Sequence, residues 1–194
     1  AWEQQIRTTA DLLDPLDAWP TWVLSNHDNP RHRTRYGGSE GRARAAALVL
    51  LGLRGTPFLY AGEELGLLDA EVTADRAVDP GGRDGCRAPI PWDSTPEHGW
   101  PGDPWLPFPP ESDTHDVADE WADPASVLGL YQRAIRARRR SPALAHGDQR
   151  LLDAPAGVVA WERTSATDRV VVLVNFTDEA VELGATEAGA HADR

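Results

Sequence analysis

Apolar and charged positions recur at helical spacing from Trp2 to Leu16, and Pro15 closes the stretch. A short apolar run, Trp22-Val23-Leu24, ends in Ser25-Asn26-His27-Asp28, which predicts a strand with a polar end. Gly41 to Arg54 is rich in Ala and Leu and predicts an amphipathic helix closed by Gly55. Thr56-Pro57-Phe58-Leu59-Tyr60 predicts a second strand, ending in Ala61-Gly62-Glu63-Glu64. The order is β-α-β, with polar residues at both strand ends.

From about Leu68 to Asp123 the periodicity gives way to Pro, Gly, Asp and Trp. A connector needs far fewer residues, and aromatics are what disordered segments lack. Trp92, Trp100, Trp105 and Trp121 therefore predict an ordered excursion packed on a scaffold. A helix is expected from Asp123, as N-cap, and Pro124, at N1, to Arg138-Arg139-Arg140, whose charges complement the helix dipole. After Ser141-Pro142 the period becomes two, with strands expected at 158–163, 170–175 and 181–183. There are no repeats of 20 to 50 residues and no low-complexity tract.

Composition narrows the picture. The chain has 194 residues, 41% of them hydrophobic, enough for one ordinary core or two smaller ones. A formal charge of −12 repels phosphate backbones and excludes a nucleic-acid partner. No apolar run approaches the roughly 20 residues that span a bilayer, so no membrane partner is expected and the cytoplasm is the expected compartment. All 19 basic residues are Arg, a bias that GC-rich coding explains more simply than chemistry. Met is absent even at position 1, and the first ten residues read as the inside of a helix, so a piece of a longer protein is expected. Cys86 is the only cysteine; one thiol forms no internal disulfide and no zinc site.

Candidate chemistry sits at the two strand ends. Rigid strand ends at the mouth of a βα-barrel position catalytic side chains, and Asn26, His27, Asp28, Glu63 and Glu64 all fall there. By itself Asn-His-Asp also reads as a capped turn, since Asn and Asp bond their own backbone. Gly81-Gly82-Arg83-Asp84-Gly85 lacks the flanking strand and helix and the Lys-Ser/Thr of a phosphate-cradling loop, and reads as a turn at the site entrance. The aromatics Trp92, Trp100, Trp105 and Phe108 are expected mainly to pack, with sugar stacking as the lesser reading, and Arg136 to Arg140 is expected to be a solvated helix end.

Three ordered strings carry a family resemblance. Trp22-Val23-Leu24-Ser25-Asn26-His27-Asp28, continued by Arg31-His32-Arg33-Thr34-Arg35-Tyr36-Gly37, resembles the seventh-strand motif of the α-amylase superfamily, glycoside hydrolase family 13, in its α-glucosidase and oligo-1,6-glucosidase branch. Gly55 to Gly66 resembles the eighth strand, and Gly82-Arg83-Asp84-Gly85-Cys86-Arg87-Ala88-Pro89-Ile90-Pro91-Trp92 the loop that follows it. The implied fold is α/β: residues 1–143 hold the last two βα units of a (β/α)8 TIM barrel, with the long loop 68–123 and the last helix. Residues 144–194 are then a small, truncated antiparallel β-sandwich domain.

Members of this family are retaining glycosidases with an Asp nucleophile on the fourth strand and a Glu acid/base on the fifth, the carboxyls about 5 Å apart. The resemblance places both upstream of this chain. It assigns Asp28 the role of third carboxylate, which holds sugar hydroxyls and stabilises the transition state, with His27 donating to the same hydroxyls. Arg31 would pair with nearby carboxylates and touch a sugar hydroxyl, or else form a surface ion pair. Asn26, Glu63 and Glu64 would support the site. Neighbouring strands lie roughly 4.8 Å apart, so Asp28 and one of the Glu residues could approach a retaining pair; two strands cannot shape a sugar pocket, so a buttressing role is preferred.

The implied function is part of a retaining α-glucosidase acting on terminal α-glucosidic bonds of oligosaccharides or disaccharides. The alternatives are a glucosyl transferase or isomerase of the trehalose- or isomaltulose-synthase type, and a non-catalytic carbohydrate-binding homologue. No redox or nucleotide cofactor is implied; no metal site is readable, and calcium in the longer protein would depend on its other loops. The isolated chain is expected to be inactive and poorly soluble, with strand faces uncovered.

Overall fold

A computed structural model describes residues 2–182. Helix α1 (Trp2–Leu13) runs into a 3-10 turn at Asp14–Leu16. Pro15 sits in the first turn of that 3-10 segment, where its missing N–H costs nothing, so the expected single helix to Leu16 tightens before it ends. Strand β1 (Thr21–Val23) and strand β2 (Thr56–Phe58) are hydrogen-bonded neighbours, joined through the short helix α2 (His32–Arg35) and helix α3 (Glu40–Gly52).

Helix α3 departs from the expected amphipathic pattern. Ala43, Ala45, Ala46, Ala47, Val49, Leu50 and Leu51 are all buried, so the helix is apolar on most of its circumference after its first turn. Its last carbonyls meet buried donors instead of water. Gly52 O accepts both Trp161 Nε1 at 3.1 Å and Arg163 Nη1 at 3.0 Å. Arg138 donates to Leu51 O and Leu53 O at 2.8 Å each and to Gly55 O at 2.5 Å, which corrects the expectation that Arg136 to Arg140 is wholly solvated.

The long segment 68–123 is mostly irregular backbone, bends and turns, with a 3-10 turn at Asp84–Arg87 and helix α4 (Val117–Ala122), which sequence periodicity did not reveal. Its aromatics only partly pack: Trp92, Trp105 and Trp121 are exposed, while Phe108 lies between His98 (centroids 4.3 Å apart) and Trp100 (6.5 Å). Helix α5 (Val127–Arg140) starts later than expected, because Asp123 spends its carboxylate on Ala125 N–H in a local turn. Ser126 is the N-cap: its Oγ accepts Gly129 N–H at 2.9 Å. Ser141 likewise caps a short, unexpected helix α6 (Pro142–His146).

The tail forms one antiparallel sheet in the order β3 (Asp148–Leu152), β4 (Val158–Thr164), β5 (Arg169–Asn175). Leu151 pairs with Trp161, which pairs with Val172. Central strand β4 is buried from Val158 to Arg163. The strand expected at 181–183 is absent at Val181 and Glu182, and Leu183 lies outside the described residues. Among the described residues the tail contributes this one sheet, with no second layer of a sandwich.

Two compact units divide the chain. Among the described residues, one gathers 2–22, 48–57 and 134–182; the other gathers 23–47 and 58–133. The sheet β3-β4-β5 belongs to the first, and both polar strand ends belong to the second.

Candidate functional site

Beyond β1 the chain turns at once. Asn26 Oδ1 accepts Asp28 N–H at 2.9 Å and Asn29 Nδ2 at 3.1 Å, and residues 26 and 29 form an isolated antiparallel bridge. This is the capped turn that an Asn-His-Asp string forms by itself. The same turn presents two exposed side chains next to each other, His27 Nε2 lying 3.3 Å from Asp28 Oδ2. The capped turn and the candidate site are thus one feature.

Asp28 faces two cations that the sequence reading did not single out. Arg83 Nη1 donates to its Oδ1 at 2.7 Å, and Arg87 Nη2 lies 3.5 Å from the same oxygen. Arg87 Nε also donates to His27 O at 2.9 Å. Arg83 is oriented by Asp79, which accepts Nε at 2.8 Å and Nη2 at 2.6 Å as well as the main-chain N–H of Arg83. These bonds hold the Asp79 carboxyl below the ordinary carboxylate range and push the Arg83 guanidinium upward. Two Arg residues four apart in a Gly-rich, otherwise acidic stretch were the signal available in the sequence.

Beside Asp28 opens a cavity of about 380 Å³, lined also by Asp69, Arg83, Asp84 and Cys86. Asp69 and Asp84 are committed to the backbone: Asp69 Oδ1 accepts Arg31 N–H, and Asp84 Oδ2 accepts the N–H groups of Val78 and Asp79. Cys86 is buried, which raises its thiol pKa, and its Sγ lies 3.1 Å from Arg83 O. Asp28 is therefore the carboxylate in this cavity that is half exposed and held only by side chains.

Arg31, Glu63 and Glu64 do not line the cavity. The Arg31 guanidinium is buried over the Tyr60 ring at 5.0 Å and donates to Ala61 O at 2.8 Å; burial lowers its pKa. Its Nη1 lies at the turn where Gly62 has φ +88°, and a Cβ there would stand 2.7 Å from Leu67 and 3.0 Å from that nitrogen. Glu64 Oε2 accepts Gly62 N–H at 2.9 Å. Glu63 is buried, its Oε1 accepting Tyr131 OH at 3.2 Å and its Oε2 lying 3.9 Å from His32 Nδ1. Desolvation pushes its pKa to about 7. Both Glu residues are thus engaged away from Asp28.

His32 completes the strand-end packing. Ser25 Oγ accepts His32 N–H at 2.9 Å and lies 3.0 Å from Nδ1. Burial, followed by the charges of Arg35, Arg31 and Arg33, lowers its pKa to about 4. Among the described residues no group of three His, Cys, Asp or Glu side chains could hold a metal ion, and no helix is long and apolar enough to cross a membrane.

Residues 1–147 match the family model described as alpha amylase, catalytic domain. A probable alpha-glucosidase of Rhizobium meliloti is 36% identical over 84% of this chain and 32% of its own length. An oligo-1,6-glucosidase of Halalkalibacterium halodurans is 28% identical over 81% of this chain and 34% of its own. Among solved structures, trehalulose synthase from Pseudomonas mesoacidophila superposes with a TM-score of 0.79 at 32% identity, covering 89% of this chain and 38% of that one. An alpha-glucosyl transfer enzyme gives 0.78 at 34%, covering 88% of this chain and 35% of that one. The chain spans about a third of the length of the curated relatives it matches.

Proposed function

The chain belongs to the alpha-amylase family, and from that premise we propose that it forms part of a retaining α-glucosidase, contributing Asp28 and His27 to the pocket for the sugar being cleaved. In this reading β1 and β2 are the seventh and eighth strands of a TIM barrel, and residues 144–194 begin a C-terminal β domain. The observation that carries it is Asp28: exposed at a strand end, beside His27, on the wall of a cavity. A carboxylate there accepts from two sugar hydroxyls and favours the developing positive charge at the anomeric carbon. Arg83 and Arg87 both face its Oδ1 and would share or yield that oxygen on sugar binding. The nucleophile and the acid/base come from segments outside this chain, so the chain alone releases no nitrophenol from a nitrophenyl α-glucoside.

The substrates proposed are short α-glucosides, supported by relatives named alpha-glucosidase and oligo-1,6-glucosidase. Incubating the full-length enzyme with maltose, isomaltose and sucrose tests this, with glucose release expected. A second reading, transfer or isomerisation, is favoured by the superposition on trehalulose synthase and on an alpha-glucosyl transfer enzyme. Both readings share one glucosyl-enzyme intermediate and differ in whether water or sugar takes the glucosyl group. A rearranged disaccharide from sucrose would select the second; no product from any sugar would defeat both.

A further inference from the structure

Beneath the Asn26–Asn29 turn lies a cluster with no contact to the cavity: Ser25, His32, Glu63 and Tyr131, all nearly fully buried. We propose that this cluster is the fixture holding the Asp28 turn on the end of β1, and that Glu63 is its positioning residue. The role rests on the glucosidase reading for its consequence in catalysis, and on geometry for its existence.

Ser25 is the residue before Asn26, and its Oγ ties the start of the turn to α2 through the two contacts with His32. Glu63 stands on the far side of that tie, bonded by Tyr131 from α5 and with Oε2 buried and without a hydrogen-bond partner. A carboxylate in that position would need a cation, and the nearby guanidinium groups are engaged elsewhere. Arg31 reaches Ala61 O; Arg33 reaches Gly38 O, Gly66 O and Glu111; Arg35 reaches Pro30 O and Leu24 O. The other titratable neighbours, Tyr36, Glu64 and Tyr131, supply no positive charge. The arrangement suits a neutral carboxylic acid, whose Oε2 proton faces Ser25 and His32 Nδ1. Loss of that proton leaves an unpaired charge against the Ser25–His32 tie, and the turn carrying Asp28 loosens.

Amide hydrogen exchange on the full chain, followed by NMR from pH 5.5 to 8.5 and corrected for intrinsic rates, reads this directly. The amides of His32 and Asp28 are expected to lose roughly tenfold in protection as pH rises through Glu63's titration, and E63Q to show no such loss. Y131F, which removes the donor that favours the ionised form, is expected to move the midpoint upward and keeps the test alive if E63Q does not fold. Constant protection in the wild type, a profile in E63Q that follows the wild type, or an unmoved midpoint in Y131F would overturn the proposal. Exchange needs no activity: the expected profile in a chain whose full-length enzyme cleaves no glucoside supports the fixture and defeats the functional reading alone. In the active enzyme, kcat should fall over the same pH range, with E63Q removing that limb.

Discussion

Asp28 and Glu63 are both carboxylates at strand ends, and their surroundings give them opposite duties. Asp28 is half exposed and faces Arg83 and Arg87, so its carboxyl oxygens are open to a bound molecule. On the proposed role of Asp28 as transition-state stabiliser, Asp28→Asn in the full-length enzyme should lower kcat about 10²–10³-fold with a smaller change in KM. Glu63 and His32 make opposing contributions to stability with pH. Glu63, raised to about 7, binds its proton more tightly folded than unfolded, so its contribution falls as pH rises from about 4.5 to 7. His32, lowered to about 4, binds its proton more weakly folded, so its contribution rises from about 4 to 6.5. The slopes cancel over most of this window in the wild type. Removing one of them in E63Q should leave stability that increases with pH between 4.5 and 6.5, read by urea unfolding; a flat profile would contradict the assignment. Gly62→Ala should cost about 1–3 kcal/mol in the same assay, since φ +88° and close contacts with Leu67, Ile90 and Arg31 leave no room for a methyl group.

Elements were legible where a periodic apolar pattern was long or a cap had one candidate. The first helix, expected to Leu16 and ending at Leu13, the β-α-β order and strands β4 and β5 follow from apolar runs and their period. Helix α5 shows the limit: Asp123-Pro124 is a good start signal, yet Asp123 bonds Ala125 locally and Ser126 takes the cap, a competition decided by tertiary contacts with Glu120. Helices α4 and α6, six and five residues long, are too short to show a period. Family strings found Asn26-His27-Asp28; they could not show Arg83 and Arg87 against Asp28, because that contact joins positions 55 and more residues apart through a turn. Nor could they show Arg138 turned inward among three outward-looking neighbours. Arg138→Ala should destabilise the chain by about 2–4 kcal/mol by leaving the carbonyls of Leu51, Leu53 and Gly55 unpaired. Lys, with no fork to span three acceptors, should recover little of it; full recovery in a thermal melt would show that charge alone suffices.

At the scale of the whole molecule, the first unit depends on contacts between parts of the chain far apart in sequence. Trp161 is fully buried, touches Gly52 closely enough that a Cβ there would stand 2.8 Å from its ring, and bonds the Gly52 carbonyl. Trp161→Ala should cost about 3–5 kcal/mol, among the largest single losses available in this unit, measured by denaturant unfolding.

The end of α3 therefore has a history in time as well as a place in space. Gly52 leaves the ribosome 109 residues before Trp161. At about 5–20 residues per second, its carbonyl and the apolar helix behind it wait roughly 5–20 s for their partners. Through that interval the nascent chain displays an unfinished helix that is apolar from Ala45 to Gly52, the kind of segment that holding chaperones recognise. Translation stalled anywhere between α3 and α5 would leave the end of α3 without Arg138, Trp161 and Arg163.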